Sequence, residues 1–193
     1  MINKIKRDIC IIKYRSLPLF EYDKKTDSEV FYYPTSKSVY WIKLENSLDK
    51  KLTSQFLKLI TTLDINKLII FGGCNKPWIS KFISKRKDYK PLIRTLEYFK
   101  SLEISTKFNG GLEIDVQDLK NFLPHFYTIT QCDGGFWDFH MIDQNQNIIF
   151  HIHYSGDIQI ITLNKKFDKK ISNQIKNTVF VDAMRENSDR LNQ

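Results

Sequence analysis

Residues 135–163 read GFWDFHMIDQNQNIIFHIHYSGDIQIITL, and this stretch decides the fold. In Phe136–Asp143 the odd positions are Trp137, Phe139 and Met141, and the even positions are Asp138, His140 and Ile142. In Asn147–Tyr154 the apolar set falls on Ile148, Phe150, Ile152 and Tyr154. Side chains of a strand alternate between its faces. The two apolar sets share a face when Phe139 lies opposite Ile152 and Met141 opposite Phe150. Asn145-Gln146 then closes a two-residue hairpin loop, with Asn145 in the left-handed position. A slip by one residue would turn one apolar set onto the wrong face, so the pairing is well specified. A second tight turn at Ser155-Gly156 leads into Asp157–Leu163. With Tyr154 opposite Asp157, His151 falls beside Ile160 and His153 beside Ile158. The expectation is a meander of three antiparallel strands.

This register gathers chemistry on the other face. His140 pairs with His151 and Asp138 with His153, with Cβ atoms of opposed residues about 5 Å apart. These are three of the four histidines in the chain. Asp138, His140, His151 and His153 together suit zinc or another divalent transition metal. The same imidazoles suit acid–base work, because histidine titrates near neutral pH. The plainer reading is a set of surface or partner-contact histidines on a half-covered strand face. His125, after Pro124, stands apart and reads as structural.

Outward from this unit, the strands come first and last and the helical patterns fall in the middle. Asp8–Tyr14 reads as a strand, Leu17–Pro34 as a long tyrosine-rich loop or hairpin, and Ser38–Leu44 as a strand. Ser47 is a candidate N-cap. Leu48, Leu52, Phe56, Leu59, Ile60 and Leu63 then step along one side of a helix. Lys67–Phe71 is a short apolar strand of a sheet interior. Pro77 opens a helical pattern through Ile83, and Pro91 opens another. Asp115 caps a short helix that Pro124 ends, and Tyr127–Gln131 reads as a strand. Phe167, Ile171 and Ile175 mark a last helix, with Val179 or Phe180 at its end. The predicted fold is α+β: one domain over residues 1–181 on a mainly antiparallel sheet, mixed if Lys67–Phe71 pairs in parallel, and a polar tail over 182–193.

The chain has 193 residues and a net charge of +8, a balance that favours anionic partners. The densest basic run is Lys81, Lys85, Arg86, Lys87 and Lys90 around Asp88, with Trp78 and Tyr89 near it. That arrangement suits nucleic acid, or simply a solvated surface. Three scattered cysteines, Cys10, Cys74 and Cys132, argue against a disulfide framework and for a reducing, cytoplasmic setting. Nothing in the sequence is long and apolar enough to span a bilayer, and no membrane partner is expected.

Gly72-Gly73-Cys74-Asn75 before a helical pattern has the look of a catalytic elbow. A thiol at a helix start is activated by the helix dipole. Cys74 with His140 or His153, oriented by Asp138, would resemble the Cys–His pair of thiol hydrolases. No phosphatase arginine follows, since Ser80 stands at that position, and no Walker motif is present. No cofactor is expected.

The runs Gly134-Gly135-Phe136-Trp137-Asp138-Phe139-His140 and Phe150-His151-Ile152-His153-Tyr154-Ser155-Gly156-Asp157 loosely resemble the late hairpins of immunity proteins. These are encoded beside bacterial contact-dependent or secreted toxins. The resemblance implies a small cytosolic α+β inhibitor that covers the active site of one toxin. Immunity proteins against nucleases are commonly acidic, so a chain of +8 would suit a toxin with an acidic face. Aromatic and basic anchors for such a partner are Tyr22, Tyr32, Tyr33, Arg86 and Tyr89. The sequence thus leads to a non-catalytic binding protein of immunity type. The alternatives are a metal- or thiol-dependent hydrolase and a basic nucleic-acid-binding domain.

Overall fold

The computed structural model describes residues 1–45 and 49–183. Ser47, the candidate N-cap, its neighbour Leu48 and the tail beyond Ala183 lie outside the described residues. Ten strands are described: β1 (Ile2–Ile5), β2 (Leu19–Asp23), β3 (Ser28–Tyr32), β4 (Ser38–Leu44), β5 (Lys67–Gly72), β6 (Gly111–Asp115), β7 (Phe139–Asp143), β8 (Ile148–Ile152), β9 (Ile158–Thr162) and β10 (Phe180–Asp182). The helices are α1 (Arg7–Lys13), α2 (Asp49–Thr62), α3 (Lys90–Ser101), α4 (Val116–Cys132) and α5 (Lys165–Ile175). Eight strands form one sheet in the order β1-β6-β5-β7-β8-β9-β4-β10, while β2 and β3 form a separate hairpin. Every described pairing is antiparallel, including both neighbours of β5. The fold is α+β, and β7–β8–β9 make the C-terminal meander.

Alternation sorts the sheet into two faces. Leu68, Ile70, Met141, Phe150, Ile158 and Ile160 point to one side and are buried there under helices α2 to α5. Trp78 is the hub of this layer, with ring contacts to Phe99, Phe108, Phe122, Phe126, Phe136 and Phe139. Gly72 lets the Phe139 ring lie against the strand: a Cβ there would stand 3.0 Å from it. Ile69, Phe71, Ile142, Ile149 and Ile161 point to the opposite side, where Cys10, Tyr14 and Leu17 cover them. No described helix is long and apolar enough to cross a membrane.

Several local expectations need correction. Asp8–Tyr14 is mostly helix α1, which buries Cys10 while Ile9 and Ile12 stay exposed. No helix follows Pro77; the chain stays irregular to a 3₁₀ turn at Ile83–Lys85. The main-chain N–H of Trp78 donates to Phe108 O at 2.9 Å and its indole to Gly110 O at 2.8 Å, holding the segment in place. Helix α4 runs through Pro124 to Cys132, so Tyr127–Gln131 is helical. Asp115 makes no side-chain cap; its carboxylate pairs with the terminal amine. Phe180 belongs to strand β10, not to the last helix.

Candidate functional site: the histidine pair beneath the aromatic hairpin

The predicted register of β7 and β8 is present, with Met141 opposite Phe150 and Ile142 opposite Ile149. Its loop differs in one detail: Gln146, at φ 56°, takes the left-handed position instead of Asn145. The buried Asp143 organises this loop. Its carboxylate accepts N–H bonds from Asn145, Asn147 and Ile148 at 2.5–3.1 Å. The next turn is longer than expected. His153 N–H donates to Asp157 O and Gly156, at φ 88°, returns the chain, so Tyr154-Ser155-Gly156 forms a three-residue loop. His151 therefore lies opposite Gln159 and Ile152 opposite Ile158. This shift by one sends Ile158 and Ile160 to the helical core, away from the histidines.

Of the four residues expected to cluster, two stay together. His140 and His151 stack with ring centroids 4.9 Å apart, both buried. Nδ1 of His140 lies 3.0 Å from Asp138 O, and Nδ1 of His151 lies 3.1 Å from Phe139 O. A carbonyl oxygen only accepts, so both Nδ1 atoms carry a proton, and burial, which disfavours the imidazolium, keeps each ring neutral near pH 7. Burial holds the His140 imidazolium well below the usual histidine range, and His151 adds to this. Burial likewise takes His151 down to about 4. On its open side, Nε2 of His140 accepts from the Tyr33 hydroxyl at 3.4 Å.

The side chains of Asp138 and His153 make their hydrogen bonds outside the pair, although His153 still disfavours the His151 imidazolium by its charge. Strand β7 begins only at Phe139, because Gly134–Phe136 is a 3₁₀ turn whose Phe136 ring stacks on Phe139 at 3.9 Å. The carboxylate of Asp138 turns to the main-chain N–H of Cys74 at 2.5 Å, and burial raises its pKa. His153 turns to Ser155 Oγ at 2.6 Å, and Ser155 donates to Asp157 at 2.9 Å. Among the described residues no group of three or more His, Cys, Asp or Glu side chains could hold a metal ion. The metal set Asp138, His140, His151 and His153 is therefore not assembled.

The helix expected to activate the Cys74 thiol is absent, although Asp138 does lie against Cys74. Cys74 follows β5, but no helix begins there, so no helix dipole acts on it. It is 3% exposed. The nearby Arg7 guanidinium donates to Gly72 O at 3.0 Å and Gly73 O at 2.7 Å, fastening helix α1 to the end of β5. His125 is structural: it stacks on Tyr98 at 4.2 Å and bonds Thr95 Oγ1 at 3.0 Å.

The hairpin β2–β3 lies over the histidine pair. Phe31 sits 5.3 Å from the His140 ring and Tyr33 5.6 Å from it. A Cβ on Gly73 would stand 2.7 Å from the Phe31 ring, so the hairpin rests directly on backbone. Trp137 is not inward on a strand, as alternation suggested. It is exposed and packs beside Phe20 and Phe31 at 5.7 and 5.8 Å. Tyr22, Tyr32 and Tyr33 are exposed on the same hairpin. Tyr89 is exposed too, while Arg86 makes a bidentate pair with Asp88 at 2.8 and 3.0 Å. Trp78 is buried and offers the basic run no stacking surface. Phe82, within the helical pattern expected after Pro77, is 74% exposed, and that helix is absent.

Comparison with protein-family models, curated proteins and solved structures found no match to this chain.

Proposed function

We propose that this chain is a non-catalytic binding protein of immunity type, one that masks a partner toxin with an exposed aromatic surface. The observation that supports this reading is the set of exposed rings on Tyr22, Tyr32, Tyr33 and Trp137, with Phe82 and Tyr89 beyond them. Large rings left in water at this density are what an interface core needs. Trp137 extends the hairpin surface through its contacts with Phe20 and Phe31. The hairpin itself mixes Glu21, Asp23 and Asp27 with Lys24 and Lys25, so its anchors are aromatic more than ionic. The cationic share lies around Phe82, where Lys81, Lys85 and Lys87 are exposed and fit a toxin with an acidic face.

The histidine pair has a supporting role here. Two neutral, carbonyl-bonded imidazoles form a firm seat for Phe31 and Tyr33, which keeps the hairpin ordered before a partner arrives. Ordering in advance reduces the entropy lost on binding.

The test is co-expression with the polypeptide encoded by the neighbouring reading frame. The expected result is a stoichiometric complex and suppressed toxicity, with the Tyr32→Ala/Trp137→Ala double variant weakening the complex by about a hundredfold. Unaltered toxicity in the presence of the wild-type chain would overturn the reading. So would a complex indifferent to both substitutions.

A further inference from the structure

We propose a second, independent site: a pocket for a nucleoside monophosphate between the β1–α1 junction and the loop before β6. It is an open cleft of about 630 Å³, a volume suited to a small ligand. Its lining combines three features that one such ligand would use together.

The first is uncompensated positive charge. Lys6 and Lys107 face the pocket and make no ion pair with a described residue. Arg7 is held at the wall by Gly72 O and Gly73 O and feels the Asp138 carboxylate, so the unpaired charge rests on the two lysines. Lys4 also lines the pocket but is paired with Glu103, and Asp8 is the one carboxylate in the lining. A phosphate monoester fits the balance that remains.

The second feature is an apolar floor. Ile5, Ile11 and Phe108 supply it. Phe108 is backed by Trp78, whose two N–H groups bond Phe108 O and Gly110 O and so fix the loop. A planar base has an aromatic surface on which to stack.

The third feature is a pair of amides. Asn109 Nδ2 donates to Asn75 Oδ1 at 2.8 Å, and both residues line the pocket. The bond leaves one amide C=O, on Asn109, and one amide NH₂, on Asn75, without a partner in each other. Turning both amides over gives the same result, so the donor–acceptor pair is a property of the arrangement. A donor and an acceptor in one pocket match the edge of a base. Inorganic phosphate would use the first feature alone, and an apolar molecule the second alone.

The test is calorimetric titration of the full chain with adenosine, guanosine, cytidine and uridine monophosphates. Inorganic phosphate and adenosine serve as separate probes. We expect one equivalent of at least one monophosphate to bind, more tightly than phosphate or the bare nucleoside by about tenfold or more. Lys6→Ala/Lys107→Ala should weaken that binding by about tenfold or more, and raised salt should weaken it further. Asn75→Ala should reduce the preference among the four bases. The exposed positions of Lys6, Lys107 and Asn75 keep these variants folded. Absence of binding by all four monophosphates at millimolar concentration overturns the proposal. Phosphate binding as tightly as the nucleotides, or binding unchanged in the double lysine variant, overturns it equally. None of these outcomes bears on the toxin-masking surface, which shares no residue with this pocket.

Discussion

The two faces of the large sheet are built on different terms. The helical face is dry and continuous: four helices lie on it, and aromatic rings fill the space around Trp78. The opposite face is covered by the short helix α1, the chain through Leu17 and the β2–β3 hairpin, while Val39 on β4 stays half open. Polar groups appear where the cover is thin. His140, His151 and Asp138 are buried on that side, each satisfied by main-chain groups that end-of-strand geometry leaves available. The difference teaches where stability and function separate. One face holds the fold together, and the other uses buried polar contacts to position a surface.

The largest expected effect tests the first half of that contrast. Trp78→Ala should destabilise the chain by about 3–5 kcal/mol, since it removes the ring that six phenylalanines touch and leaves a cavity too enclosed to collapse. Urea unfolding measures it. A loss below about 1 kcal/mol would mean that the helical face is not the main store of stability.

Acid tests the second half. Unfolded histidine titrates near 6.5, whereas folded His151 is held down to about 4 by burial. Between those values the unfolded chain binds the proton and the folded chain does not, so stability rises with pH. Taking the pH from 7 to 4 should therefore remove about 3 kcal/mol through His151. His140, lowered in the same direction, adds to the loss. Asp138 opposes it, because burial raises its carboxyl pKa and acid relieves that penalty. The lowered carboxylates Glu113 and Asp115 release their stabilisation only at more acidic pH. Urea midpoints of the wild type should fall from pH 7 to 5, and those of His151→Gln should fall less. Parallel curves for the two proteins would break the assignment.

Arg7 sharpens the comparison further. Its guanidinium joins the thin cover to the sheet through the carbonyls of Gly72 and Gly73. Arg7→Met keeps an apolar side chain and loses both charge-assisted bonds together with the guanidinium's contact with the Phe71 ring, so about 2 kcal/mol should go. A melt unchanged by the substitution would show that the cover is held by packing alone.

How much of this was legible follows the same division. The β7–β8 register could be read from sequence because the core face of each strand is strictly apolar, and a slip would bury His140 among the helices. The next register could not, since Gly156 permits a two- or a three-residue loop and only hydrogen bonding by His153 and Asp157 selects the longer one. Helix α1 was hidden by its β-branched run Ile9, Ile11 and Ile12; over seven residues neither period dominates, and the single buried anchor Cys10 decides. Pro124 suggested a helix end, yet Leu119, Phe122, Phe126 and Ile129 are buried on both sides of it. That packing outweighs the missing N–H and the local clash. The histidine pair was legible and Asp138 was not, because the start of β7 depends on the Phe136–Phe139 stack and on the contact of Gly73 N with Asp138 O. Both are meetings of distant or irregular segments. The tyrosine-rich segment announced a surface, but nothing local said which sheet face it would cover.

The smallest effect is the most discriminating. Tyr32 lies opposite Leu19 at the open end of the hairpin, with 46% of its surface in water. Truncating such a side chain gives up only about half of its area from contact, so Tyr32→Ser should cost about 1 kcal/mol, less than Arg7→Met. The same substitution falls on the surface proposed above for a partner, so a small shift of the unfolding curve combined with weakened binding is the expected pattern. If Tyr32→Ser instead costs as much as Arg7→Met, the hairpin is a structural lid. The aromatic residues on it would then be sealing the histidine pair, and the open face would serve the fold no less than the helical face does.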